Sequence, residues 1–233
     1  MPSLDFDGDY GRHYRQSIQH SVPGYDVLNE IAAAAIRATS VNAQHVLVVG
    51  PGPGDELLPL LDSCPEADVT VIEPSAQMLE QCRSTLSGYL GLERCRFLQS
   101  TLADALSTDF HQQQFDLVVC HNVLHLLPAV DQLMLLQQLI SLTGRGGVLL
   151  LSSYSEPEDV DAYSTILEVA RQRLVDRGMT TDQLQQLLAS RNRVVFSVDA
   201  RRVAEAIIQK GWLSPVQLYQ GLFARLWLCR APG

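Results

Sequence analysis

The chain has 233 residues, a formal net charge of −9 and 18% charged residues, enough for one α/β domain with a substantial core and too few for a second full one. The acidic balance argues against nucleic acid as the main partner, because duplex binding needs a basic face. Five cysteines, Cys64, Cys82, Cys95, Cys120 and Cys229, show no ligand-like spacing, so no metal site and no disulfide framework is expected.

The first thirty residues lack an apolar h-region and no later stretch is long enough to cross a bilayer, so the expected location is the cytoplasm, without a membrane partner. Residues 1–40 are expected to form an N-terminal lid segment. Then follow short aliphatic runs, "HVLVV" (45–49), "VTVI" (69–72), "FDLVVC" (115–120) and "GGVLLLSS" (146–153), which read as strands buried on both faces. "RCRFLQS" (94–100) is a weaker strand candidate. Between them "DELLPLLDSC", "SAQMLEQCRSTLSGYL" and "AVDQLMLLQQLISL" carry apolar residues at helical spacing, so the alternation predicts a doubly wound, mostly parallel sheet with right-handed crossovers. A mostly helical insertion (156–198) follows, then an amphipathic helix within 199–212. "PVQLYQGLF" and "RLWLC" around Gly221 predict a C-terminal antiparallel hairpin. The whole chain, 1–233, reads as a single domain. Arg191, Arg193, Arg201 and Arg202 form the notable basic cluster and read as solvated helix faces.

The stretch "VLVVGPGPGDE" (46–56) runs from strand to helix through Gly50, Gly52 and Gly54. A main chain without Cβ atoms at a helix N-terminus lets a nucleotide sit against backbone N–H groups. A plain turn would need one or two glycines. The third glycine comes one residue too early for the dinucleotide pattern G-x-G-x-x-G, and Asp55 holds the place of its last glycine, which weakens an NAD reading. Glu73, at the end of the next strand, is placed to accept both hydroxyls of an adenosine ribose, or to cap the helix starting near Ser75.

"VLVVGPGPG", "VTVIEPSAQML", "FLQSTLAD" and "FDLVVCHNVLHLLP", in that order and spacing, resemble the motifs of the class I S-adenosylmethionine (SAM) dependent methyltransferases. The resemblance implies their seven-stranded Rossmann-like sheet with a terminal hairpin, SAM as cofactor and S-adenosylhomocysteine (SAH) as product. It places Gly50, Pro51, Gly52 and Gly54 at the methionine part, Glu73 at the ribose, Pro74 and Met78 on an adenine face, Thr101 and Leu102 at the adenine edge, and His121 near the amino group and sulfonium. Val48 stands where many members carry a carboxylate, leaving Asp55 or Glu56 as substitutes. "QHSVPGYDVLNEI" and the last strands resemble the branch containing carboxy-SAM synthase, which implies that Tyr25 reaches the cofactor. The arginine that would hold an extra carboxylate falls on Leu188, so ordinary SAM is expected.

Methyl transfer from a sulfonium needs alignment and exclusion of water, and a hydroxyl acceptor also needs a base, usually histidine. The candidates are His121, His125 and His20. For an acceptor needing no base, Tyr14, Tyr25 and Tyr154 are positioning candidates. The insertion is expected to set acceptor choice, and its apolar positions Tyr163, Ile166, Leu167, Val169 and Ala170 to pack as core against the sheet, line an acceptor pocket or pack in a homodimer. A small-molecule acceptor methylated on oxygen or nitrogen is the favoured function. An RNA methyltransferase, an NAD-linked oxidoreductase and a non-catalytic SAM-binding protein are the alternatives.

Overall fold

The computed structural model describes residues 4–108, 110 and 113–233; the first three residues of the expected lid segment lie outside them. Five strands, β1 (His45–Val49), β2 (Asp68–Ile72), β3 (Cys95–Leu98), β4 (Phe115–His121) and β5 (Thr143–Tyr154), pair in parallel in the order β3-β2-β1-β4-β5. The hairpin strands β6 (Val216–Gly221) and β7 (Ala224–Arg230) extend this to a seven-stranded sheet, with β7 antiparallel to both β5 and β6. The sheet is therefore the expected doubly wound, mostly parallel one.

In β1 and β2 every residue after the first is buried, which is why these strands read as continuous aliphatic runs rather than alternating ones. Val46 and Val48 face α3 (Tyr25–Thr39), α4 (Leu57–Ser63) and α5 (Ala76–Thr85); Leu47 and Val49 face α6 (Leu102–Thr108), α7 (Ala129–Leu142) and α10 (Ala200–Gln209). Strand order reverses between β1 and β4. In a doubly wound sheet that reversal opens a crevice at the strands' carboxyl ends, here where the glycine loop and His121 emerge.

Two short helices, α1 (Asp9–Arg12) and α2 (Tyr14–Ser21), precede α3. The insertion after β5 divides into α8 (Val160–Asp176) and α9 (Thr181–Ser190). The break comes at Gly178, whose φ is +88°, and α9 restarts through a reciprocal cap between Thr180 and Gln183. The helix after β2 ends at Thr85, short of the expected Leu90, ahead of Gly88 and Gly91 with positive φ. Cys64, Cys82, Cys120 and Cys229 are buried thiols and Cys95 is half-buried. Arg201 and Arg202 make exposed pairs with Glu158 and Asp199, as solvated faces do, but Arg191 departs from that expectation and belongs to the site.

Candidate active site

The three loop glycines all have positive φ, +67° at Gly50, +56° at Gly52 and +81° at Gly54, a region that strains any residue with a Cβ. Their surroundings differ. A Cβ on Gly50 would stand 2.5 Å from Cγ2 of Val123, and one on Gly54 2.9 Å from Sγ of Cys82 in α5, so packing alone demands both. A Cβ on Gly52 would meet only Cε1 of Tyr14 at 3.6 Å and Sδ of Met78 at 3.9 Å. Gly52 is thus the glycine whose bareness packing does not require.

Glu73 is buried at the carboxyl end of β2 and accepts the main-chain N–H groups of Gly52 at 3.1 Å and Ser75 at 3.0 Å. Burial pushes its carboxyl up, against the pull of those two donors. Ser75 in turn caps α5, its hydroxyl accepting from Met78 N–H at 3.1 Å. Of the two carboxylates that follow the loop, Asp55 is engaged: the Arg15 guanidinium donates to it at 2.8 Å and the Tyr25 hydroxyl at 3.4 Å. Glu56 is buried and has no ion-pair partner among the described residues. Burial, with Asp55 and Glu73 nearby, pushes its carboxyl up to about 8. Sequence spacing left Asp55 and Glu56 equivalent; Arg15, forty positions upstream of Asp55, separates them.

The N-terminal segment closes over this region. Asp7 accepts from the Ser75 hydroxyl at 2.7 Å and Gln77 N–H at 3.0 Å, and Phe6, Tyr10 and Tyr14 pack with ring centroids 5.4 to 5.9 Å apart. Tyr25, at the start of α3, is buried with Asp55, Glu56 and Tyr14 as electrostatic neighbours. Met78 is buried beside the loop while Pro74 is exposed. Thr101 is exposed and caps α6 through Asp104 N–H at 3.2 Å, and Leu102 is buried in the core.

The three histidines are not brought together. His121 is buried, and both its ring nitrogens, with Oγ of its register partner Ser152, lack partners among the described residues. Burial pulls its pKa down to about 4. Burial does the same to His125, again to about 4. Its Nδ1 accepts the Tyr154 N–H at 3.3 Å and contacts the Ser153 hydroxyl at 3.1 Å, and since a backbone N–H only donates, the ring proton is assigned to Nε2. That tautomer presents a donor, not the base the sequence suggested. His20 is half-buried on α2 with Nδ1 bonded to the Gln16 carbonyl at 2.8 Å.

A cavity of about 210 Å³ lies between the N-terminal segment, the carboxyl edge of the sheet and the inserted helices. Its wall includes Tyr14, His125, Tyr154, Leu167, Leu188 and Phe223. Asn122 also lines it, buried, with φ +58°; the spacing of motifs did not single it out, although Asn is among the few residues that tolerate this conformation. On the cavity wall Arg191 is held by both oxygens of Glu156 and lies over the Tyr163 ring, 4.7 Å from its centroid.

These residues fit SAM better than a dinucleotide. Glu56, Glu73 and Asp55 set three carboxyl groups around the glycine loop, acceptors that suit the ammonium and ribose hydroxyls of SAM and would repel a diphosphate wherever they ionise. The orphaned pair His121 and Ser152 and the open main chain at Gly52 leave polar groups for it to satisfy.

Residues 46–147 match the family described as a methyltransferase domain. A carboxy-S-adenosyl-L-methionine synthase from Shewanella sp. (strain MR-7) is 26% identical over 172 residues, which are 72% of this chain and 68% of that protein. Among solved structures, an O-methyltransferase family protein from Burkholderia thailandensis superposes over 98% of this chain with TM-score 0.66 and 14% identity; the match spans 64% of that protein's length. The magnesium protoporphyrin IX methyltransferase from Synechocystis PCC 6803, solved with bound SAM, matches over 97% of this chain and 93% of its own, with TM-score 0.63 and 14% identity. At that identity the two structures speak to the fold. With the match over residues 46–147, they give this chain a methyltransferase domain's fold. No helix among the described residues is long and apolar enough to cross a membrane.

Proposed function

We propose that the chain transfers the methyl group of SAM to an oxygen or nitrogen of a small molecule held in the cavity under α8 and α9. The observation that carries this reading is the position of Tyr14, which borders Gly52 on one side and lines the cavity on the other, so crevice and cavity adjoin. In the bound state Gly50, Pro51, Gly52 and Gly54 offer main chain to the methionine part, with Glu56 as the free carboxylate for its ammonium in place of Val48. Glu73 exchanges its hold on Gly52 for the ribose hydroxyls. Pro74 and Met78 flank the adenine, the Leu102 N–H and Thr101 meet its edge, and Tyr25 and His121 close the side toward the sulfur.

Bound SAM supplies an activated methyl group: the acceptor's lone pair forms the new bond to carbon, the electrons of the S–C bond return to sulfur, and SAH leaves. The residues of this chain then orient the acceptor and keep water out. His125, through Nε2–H, orients it as a donor. Neither His121 nor His20 lines the cavity, so the acceptor is one that loses its proton readily, an amine or an acidic hydroxyl. Leu188 on the cavity wall and Arg191 already held by Glu156 favour SAM over its carboxylated form. The test is incubation with methyl-labelled SAM and panels of amines, phenols and RNA. Label on a small molecule supports the reading, label on RNA replaces it, and tight SAH binding without turnover on any panel favours a binding protein.

A further inference from the structure

Three arginines line the cavity and their charges are balanced differently. Arg191 is neutralised by Glu156. Arg171 is exposed on α8. Arg173, one residue pair further along α8, is half-buried; its Nη1 donates to the His20 carbonyl at 2.6 Å, and no carboxylate among the described residues lies within ion-pair distance. Its charged neighbour is Arg177, a like charge, and burial together with Arg177 pulls its pKa below the usual range.

The bond to His20 has a structural explanation, because a cation near the last carbonyls of α2 favours the helix. That uses one corner of the fork. A guanidinium carries five N–H donors and is costly to bury without an opposite charge. The cavity that Arg173 lines is bordered largely by apolar side chains, among them Ile18, Leu167, Leu174, Leu184, Leu187 and Phe223.

We propose that the acceptor is a small, mainly apolar molecule carrying one carboxylate, which pairs with Arg173 inside the cavity while its apolar body packs on the inserted helices. The assignment rests on the methyl-transfer reading of this cavity. A planar carboxylate matches the guanidinium fork in a way a neutral polar group does not, and the anchored anion would fix which atom faces Tyr14 and the crevice.

The experiment is calorimetric titration of the whole chain, with and without saturating SAH, using 1-naphthoate, 1-naphthamide and 1-naphthyl phosphate. The expected result is at least tenfold tighter binding of naphthoate than naphthamide, with that preference lost in Arg173→Gln while naphthamide affinity stays unchanged. A variant with Leu187→Glu, on the same wall and partly exposed, should abolish the preference with Arg173 intact, which covers the case in which Arg173→Gln does not fold. Equal affinities, no binding of any probe, or a parallel loss of all three in Arg173→Gln would overturn the proposal, and a preference for the phosphate would overturn the carboxylate. Absence of SAH binding alongside a retained naphthoate preference would instead strike the methyl-transfer reading and leave the anion site standing.

Discussion

Tyr14 and Gly52 meet where two spaces join: the ring edge stands 3.6 Å from the point a Cβ on Gly52 would occupy, and the same ring lines the cavity under the inserted helices. A bare main chain there lets a cofactor approach from one side while an acceptor waits on the other.

Gly52 and Gly54 should therefore respond differently to alanine. At both, positive φ costs about 1–3 kcal/mol, but Gly54→Ala also drives a Cβ to 2.9 Å from Cys82 Sγ. Urea denaturation should show Gly54→Ala as the less stable variant, partly rescued by Cys82→Ala. Calorimetry should show Gly52→Ala with the larger loss of SAH affinity relative to its loss of stability.

Glu56 should make cofactor binding pH-dependent. Its carboxyl, raised to about 8, is protonated at neutral pH and must ionise to meet an ammonium, so SAH binding releases a proton below that value. Affinity should rise with pH and level off above about 8. In Glu56→Gln the slope and the proton release, read by titration in buffers of different ionisation heat, should both vanish. A slope that persists would place the titrating group elsewhere.

Buried histidines and carboxyls should pull the pH dependence of stability in opposite directions. His121 and His125 have pKa values lowered from 6.5 to about 4, so between those values the unfolded chain binds more protons and stability falls as pH drops. Glu56 works oppositely: its pKa is raised from 4.5 to about 8, so the folded chain holds the extra proton and stability falls as pH rises across that window. Where the windows overlap, the two histidines oppose Glu56 and Glu73, whose carboxyl is also raised by burial. Thermal melts across this range should show His125→Gln flattening the acid limb and Glu56→Gln the alkaline limb.

Glu73→Ala would leave the N–H groups of Gly52 and Ser75 without their acceptor, costing about 1–3 kcal/mol of stability and weakening SAM further through the ribose. Binding of 5′-deoxyadenosine analogues lacking ribose hydroxyls separates the two effects. Their affinity should fall less in the variant than that of SAH.

Much of the fold was legible because strands buried on both faces write themselves as unbroken aliphatic runs, and the Gly50 to Gly54 loop follows the first of them. The hairpin around Gly221 was legible from its lack of intervening residues. The break in the insertion was less so, although Gly178 and the Thr180–Gln183 cap were local signals that a long helical pattern masked. The site was legible only where chemistry lies along one strand or loop. That Asp55 is held and Glu56 is free depends on Arg15, that His125 is a donor depends on Tyr154, and that Arg173 is uncompensated depends on what α2 brings beside it. None of these pairings has a spacing that a sequence displays.

The central claim is that SAM lodges between Gly52 and Glu73, and a crystal structure with SAH tests it most directly. The account predicts ribose hydroxyls on the Glu73 carboxylate, the methionine part along Gly50 to Gly54 with its ammonium at Glu56, and the sulfur facing the cavity past Tyr14. SAH bound at another surface, with Glu73 still bonded to Gly52 and Tyr14 still against it, would contradict it.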